Sequence, residues 1–290
     1  MGLVPILTVG LPVFQGGRYL AAAVESILSQ SFTDLELIIS DNASTDDTQA
    51  IGPALAASDP RVTYRRNAEN IGLSANFNLL VPLARGRLFK WATADDLLRP
   101  GYLARCVSAI DSDPTVVLAY PGTDFVDADG VRLALSDPGW HLVSDDPSVR
   151  LSFAIRAGHF VNALLGVIRT DALRRTRLLP QYAAGDYRLM AELALLGKFV
   201  EIPAHLYVRR IHTGSTKGNA GDAAWLARYH SGSRPSVRAA YWRLSVDQAV
   251  LVIRSSIPAS RKVVLLSQLA RTVVLRRRLL FRELLELLRA

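Results

Sequence analysis

Up to Ala92 the chain alternates short β-rich apolar runs with segments whose apolar positions recur at helical spacing, and that rhythm leaves few architectures open. Ile6 to Val9 is a strand, Pro12 to Gly17 a loop and Tyr19 to Leu28 a helix. Leu35 to Ser40 repeats the pattern through the loop Asp41 to Asp47 and a helix running through Leu55. Val62 to Arg66 repeats it through Asn70 to Ser74 and a helix to Ala84, and Leu88 to Ala92 is the next strand. Strands joined by helices in this way form a mainly parallel sheet covered on both faces, so the fold class is α/β. Ligands of such sheets bind outside the carboxyl ends of the strands.

The loops at those ends carry the chemistry. Asp95 and Asp96 follow the apolar run Leu88 to Ala92 and precede Pro100-Gly101, which open the next helix. Two adjacent carboxylates at a strand end suit a hard divalent cation that also touches phosphate, though acidic pairs are common in ordinary turns. Asp41 ends the second strand, where a carboxylate can accept the ring N–H of a nucleotide base. The competing role is an Asx-turn or helix cap, which Ser44 or Thr45 could also fill, with Asp46 and Asp47 favourable in the first helical turn. Asn70 and Gly72 read first as a turn and second as a ligand loop.

Beyond Gly101 the pattern is looser. Tyr102 to Ile110 is a helix and Val116 to Tyr120 a strand. Asp127-Ala128-Asp129-Gly130 is a hairpin turn that lacks the later ligands of a calcium loop. Leu133 to Gly158 has the composition of an irregular loop, and Asn162 to Arg169 is strand-like. Gly185 to Gly197 is an amphipathic helix with Asp186 at its start, Gly197 at its C-cap and Glu192 on its solvent face. Phe199 to Ile202 and Leu206 to Arg210 are strands, and His212 lies in the polar loop Ile211 to Ser215, where a structural role is the commoner one for a lone histidine. From Ala223 the pattern is helical, broken at Ser231 to Pro235 and at Pro258. Tyr241 to Ile253 and Arg261 to Leu288 are its helices, the second interrupted by Arg276-Arg277-Arg278.

A chain of 290 residues, 50% apolar, can bury one large core with a helical appendage. From Arg254 onward nine basic residues face only Glu283 and Glu286, so nearly all of the formal +8 lies in the tail, which answers to membrane phosphates or an acidic partner. Nucleic acid is not expected, because no reading motif accompanies the charge. The single Cys106 excludes an intrachain disulfide and a cysteine zinc site, and the setting expected is a reducing cytoplasm. The first residues lack the basic region of an export signal, and no window is long and apolar enough to span a bilayer. The loop after the first strand is not G-x-G-x-x-G, which argues against a nicotinamide oxidoreductase, and no Walker loop is present.

Taken together, Pro12-Val13-Phe14-Gln15, Ile39 to Asp46, Asn70 to Asn78, Ala94-Asp95-Asp96, Asn162 to Gly166, Gly185-Asp186 and Tyr207 to Ser215 resemble, in order and spacing, family-2 glycosyltransferases of the GT-A fold. The resemblance runs from Pro5 to Ser215. It implies a catalytic domain at 1–218, with a donor half near 1–100 and an acceptor half near 101–218, followed by a helical extension at 219–290. Asp41 is then expected to hold the base of a nucleotide-diphosphate sugar, with Pro12 and Phe14 lining that pocket and Asn70 nearby. Asp96 is expected to coordinate Mg²⁺ or Mn²⁺, Asp95 to contact ribose or sugar, and His212 to complete the metal site. Asp186 stands at the place of the family's catalytic base, and Trp91 and Asn162 are acceptor-side candidates. Three positions depart from the family's pattern: Thr93 and Gly185 replace acids, and Phe77 replaces an arginine. The activity implied is inverting transfer to an acceptor hydroxyl, a lipid-linked one included, in envelope polysaccharide or glycolipid synthesis. Its rivals are a transferase acting on a soluble natural product and a nucleotide-sugar-binding protein without catalysis. The basic helical tail would rest on an anionic inner membrane surface, join two copies of the chain or pack on the catalytic domain.

Overall fold

The computed structural model describes residues 4–156, 161–212 and 239–288. The apolar run expected as the first strand extends further than its composition suggests, and β1 spans Leu7–Val13, buried throughout. Pro12 is accommodated because β1's neighbour β4 (Leu88–Trp91) pairs only as far as Gly10, leaving no ladder partner opposite the missing N–H. On its other edge β1 pairs in parallel with β2 (Leu35–Asp41), which pairs in parallel with β3 (Val62–Arg66). The connecting helices are α1 (Leu20–Leu28), α2 (Thr48–Ser58) and α3 (Leu73–Leu83).

The second half completes one eight-stranded sheet of order β3-β2-β1-β4-β7-β6-β8-β5. Helix α4 (Tyr102–Asp111) precedes β6 (Val116–Val126), and β7 (Val167–Arg169) pairs antiparallel to both β4 and β6. The strand β8 (Lys198–Arg210) is continuous where the sequence suggested two strands, and it pairs in parallel with β6 across an irregularity at Gly122. The two-residue β5 (Leu97–Leu98), not expected from sequence, pairs antiparallel with Tyr207 and Val208 of β8. That pairing carries Asp95 and Asp96 to the end of β8.

Two stretches differ from their sequence reading. Within Leu133 to Gly158, Pro147–Arg156 is a helix, α5, opened by Asp146 accepting the Ser148 N–H at 2.7 Å and buried along Leu151, Ala154 and Ile155. Asn162–Leu165 is a 3₁₀ turn rather than a strand. Then α6 (Thr170–Arg174) leads toward α7 (Gly185–Leu196). Glu192 of α7 is buried, not solvent-facing, and receives Arg177 Nε at 2.8 Å.

The tail forms α8 (Ala240–Arg254), α9 (Ala259–Leu275) and α10 (Arg277–Leu288), with the break at Arg276 as expected. Asp247 of α8 accepts the Tyr182 hydroxyl at 2.6 Å, and Gln268 of α9 accepts Ser152 of α5 at 2.8 Å, so the extension packs on the sheet domain. Its expected start at 219, the turn at 231–235 and the segment Thr213 to Ser215 lie outside the described residues. Among the described residues no helix is long and apolar enough to cross a membrane.

Candidate active site

The loops that follow β1, β2 and β4 meet the end of β8. A Cβ built on Gly16 would lie 3.1 Å from that of Ala94, so the β1–α1 loop rests against the turn bearing the two carboxylates. Tyr19 lies 5.3 Å from the His212 ring, centroid to centroid, with the Arg210 guanidinium 4.7 Å from its own. Its hydroxyl donates to Ala128 O at 3.2 Å, which ties in the β6 hairpin turn.

The two acids of the turn have unlike surroundings. Asp96 is buried, and both its oxygens are occupied: Oδ2 accepts the hydroxyls of Thr93, at 2.5 Å, and Tyr207, while Oδ1 accepts the Arg210 N–H at 2.7 Å. Burial first, and the neighbouring Asp95 charge second, push its pKa up to about 6. Asp95 is partly exposed, and its Oδ2 stands 3.0 Å from His212 Nε2. In this arrangement the lone pairs of Asp96 hold the turn together, and Asp95 is the carboxylate paired with the histidine.

Behind the turn, Lys90 is fully buried within β4. Its ammonium donates to Leu165 O and Tyr102 Oη, the latter at 3.2 Å, and lies 5.5 Å from the centroid of the Tyr207 ring. Burial lowers its pKa to about 7 against the opposing pull of Cys106 and Asp96.

Asp41 has no exposed surface. Oδ1 accepts the Ser44 N–H at 2.9 Å, and Oδ2 accepts the Tyr64 hydroxyl at 2.6 Å and lies 3.5 Å from Arg66 Nε. Asp41 thus has the turn-forming role, holding the start of the β2–α2 loop and the Tyr64 hydroxyl at the sheet edge. Asn70 likewise accepts the Asn42 side chain at 2.7 Å and the Gly72 N–H at 2.9 Å, within a network that includes Asn67, Asn76 and Ser40. Pro12 is buried at the end of β1, and Phe14, just past it, is half-buried.

The acceptor-side candidates are internal. Trp91 is fully buried against Phe89 and Phe77 and donates its indole N–H to Phe77 O at 2.9 Å, so it belongs to the core. Asn162 is buried between Arg209, which donates to its Oδ1, and Asp137, which accepts from its Nδ2 at 2.7 Å. It presents no amide outward but fastens the loop of Asp137 and Trp140 to β8. Tyr187 stacks 6.3 Å from Trp140 on that loop, and the adjacent Asp186 accepts the Tyr187 N–H at 3.0 Å in the first turn of α7.

Sequence reasoning missed Tyr207, Thr93 and Arg210 as partners of Asp96, Tyr19 beside His212, and Lys90. The last had a visible signal, a lysine inside an otherwise apolar strand. Among the described residues no group of three or more His, Cys, Asp or Glu side chains converges as a complete metal site. The carboxylates of the turn are donors of the kind that Mg²⁺ or Mn²⁺ takes in sites completed by substrate phosphates, and the His212 imidazole beside Asp95 suits the softer Mn²⁺ of the two.

A mainly parallel sheet with a two-carboxylate turn at its strand ends, extended by antiparallel strands and C-terminal helices, is the GT-A glycosyltransferase architecture. It is similar to S. aureus TarS in complex with UDP-GlcNAc, with a TM-score of 0.68 at 15% identity over 91% of this chain and 71% of that one. It is also similar to a mannosyltransferase from Pyrobaculum calidifontis in complex with GDP-Man and Mn²⁺, with a TM-score of 0.56 at 18% identity over 94% of this chain and 75% of that one. Residues 8–150 match the profile described as glycosyl transferase family 2, and the chain belongs to that family. Among curated relatives, it is 28% identical over 218 residues to the chondroitin synthase of Escherichia coli and 27% identical over 218 residues to the hyaluronan synthase of Pasteurella multocida. Each alignment covers 73% of this chain but only 30% and 21% of those proteins, so the chain spans less than a third of their length.

Proposed function

We propose that the chain transfers a sugar from a nucleotide-diphosphate donor to an acceptor hydroxyl by single displacement with inversion. The observation that carries this is the Asp95–His212 pair, 3.0 Å apart at the strand-end edge of the sheet and enclosed by the loops after β1, β4 and β8. The named ligands of TarS and of the Pyrobaculum mannosyltransferase support it as the donor edge. Asp95 and His212 would hold Mg²⁺ or Mn²⁺, and that cation stabilises the charge gathering on a diphosphate leaving group. Arg210, packed over Tyr19 beside His212, adds positive charge at the same edge. Pro12 and Phe14 line the base pocket, with Asp41 at its wall offering the remaining lone pair of Oδ1 to a base N–H, and Asn70 nearby. Asp186 removes the acceptor proton, and the Asp137 loop held by Asn162 frames the acceptor side. A lipid-carried acceptor of envelope polysaccharide or glycolipid synthesis suits an enzyme of this kind acting at the inner membrane face.

The test is thermal shift with a panel of uridine, guanosine and thymidine diphospho-sugars, with and without Mn²⁺, followed by release of nucleoside diphosphate. A ligand at a hundred times its dissociation constant stabilises by about 2.7 kcal/mol. Mn²⁺-dependent stabilisation by one donor class, with turnover, is the expected result. Binding of a donor without turnover under any acceptor supports the rival reading, a nucleotide-sugar-binding protein, and no binding overturns both.

A further inference from the structure

We infer that the outward face of α9 and α10 is a docking surface for an anionic lipid bilayer. This goes beyond sugar transfer and does not depend on it. Leu265, Leu269 and Leu280 are buried on one side, against the rest of the molecule. On the other side Val263, Val274, Leu275 and Phe281 are exposed, Leu275 to 80% and Phe281 to 61%. With Val264 at 49% and Leu284 at 42%, these are six large apolar side chains exposed along a seventeen- and a twelve-residue helix, interspersed with arginines.

The charges between them select the occupant. Arg271, Arg278 and Arg282 are exposed at helical spacing among the apolar residues. Among the described side chains of the two helices Glu283 is the sole carboxylate, and it is turned inward onto the Tyr241 N–H at 3.1 Å. A second copy of this face would bring arginine against arginine with no exposed acid among the described side chains to answer it. A nucleic acid would meet the arginines but strand the valines, leucine and phenylalanine. Phosphate headgroups above an acyl layer satisfy both, and neither helix is apolar enough to cross the layer, so the helices lie in its interface.

The experiment is co-sedimentation of the full chain, without donor, with phosphatidylcholine vesicles and with vesicles containing about 30% phosphatidylglycerol, where partitioning is expected to be about tenfold or more stronger. Leu275→Ser combined with Phe281→Ser lowers binding to the anionic vesicles, and Arg271→Gln combined with Arg278→Gln removes the preference between lipids. These side chains are exposed, so melting temperatures stay near the parent value and loss of binding is not loss of fold. Equal partitioning onto both lipids, or undiminished binding by both double variants, overturns the proposal. So does a concentration-dependent dimer in light scattering that Leu275→Ser with Phe281→Ser abolishes, or equally tight binding of poly-uridylate by that variant. Because no donor is present, failure here leaves the transfer reading untouched.

Discussion

The adjacent acids of the β4–β5 turn divide their labour by what each touches. Asp95→Ala removes half of the pair with His212 and leaves the turn intact, so Mn²⁺-dependent donor binding is lost while the melting temperature changes little. Asp96→Ala strands the hydroxyls of Thr93 and Tyr207 and the Arg210 N–H. Each buried donor left unsatisfied costs about 1–3 kcal/mol, so denaturant unfolding should show a loss of about 3 kcal/mol or more. Equal stability of the two variants, with metal response lost only in the second, would return the ligand role to Asp96. The sequence showed both carboxylates and their strand end but not this division, because Tyr207, Arg210 and His212 reach the turn from more than a hundred positions away. Lys90 makes a second prediction. Its folded pKa, lowered to about 7, lies below the ordinary 10.5. Across that window the unfolded chain holds a proton the folded chain has released, so stability attributable to this group rises with pH from about 7 toward 10.5. Asp96 acts in a separate window: with its pKa raised from 3.8 to about 6, the folded state holds the extra proton there and stability falls as pH rises through it. Lys90→Met is expected to flatten the melting-temperature profile above neutrality and leave the acid side unchanged, with Leu165 O still bonded by Tyr102 at 2.8 Å.

At the level of elements, the parallel half was legible because β1, β2 and β4 are buried apolar runs joined by helical segments, and the edge strand β3, though largely exposed, repeats their spacing. What depends on distant pairing was not. The two residues of β5 acquire strand character only through β8, and Asn162 turns because Arg209 and Asp137 hold its amide. Trp91, an acceptor-side candidate by the resemblance, is internal because β4 is an interior strand whose side chains are buried on both faces. Helix α5 did leave a signal, Asp146-Pro147-Ser148, a cap followed by proline at the first helical position. The start of α7 explains one departure from the family's pattern. A Cβ on Gly185 would lie 2.5 Å from Pro180 Cγ, with Ala184 before it at φ +62°, so the acid usual in the family has no room. Gly185→Ala should therefore destabilise by about 1–3 kcal/mol, read by urea unfolding, and Gly185→Glu by more. Asp186→Asn, which keeps the helix start, is expected to preserve donor affinity and lower kcat by about a hundredfold, the contribution of a positioned base. Near-normal turnover would move the proton to another group.

Over the whole molecule, the question is whether the C-terminal helices are a separate unit, as the sequence division at 219 implies, or part of the same cooperative structure. A partly buried cluster argues for the second. Asp247 of α8 accepts the Tyr182 hydroxyl at 2.6 Å and lies 3.5 Å from both Arg177 and Arg188, while these two arginines also reach Glu192 of α7. Removing one carboxylate from this set leaves a buried guanidinium and a buried phenol short of a partner, and it does so at the junction of the extension with the helix that carries Asp186. Asp247→Ala should thus cost about 1–3 kcal/mol. Calorimetry of the full chain is expected to show one transition, lowered by a few degrees in the variant, since each kcal/mol shifts the midpoint of a chain of this size by about 2 °C. Two resolved transitions in the parent chain, with Asp247→Ala moving only the one assigned to the extension, would establish an independent helical domain instead. A single lowered transition accompanied by reduced turnover at saturating donor would show that the packing of α8 on α7 also holds the proposed base in place.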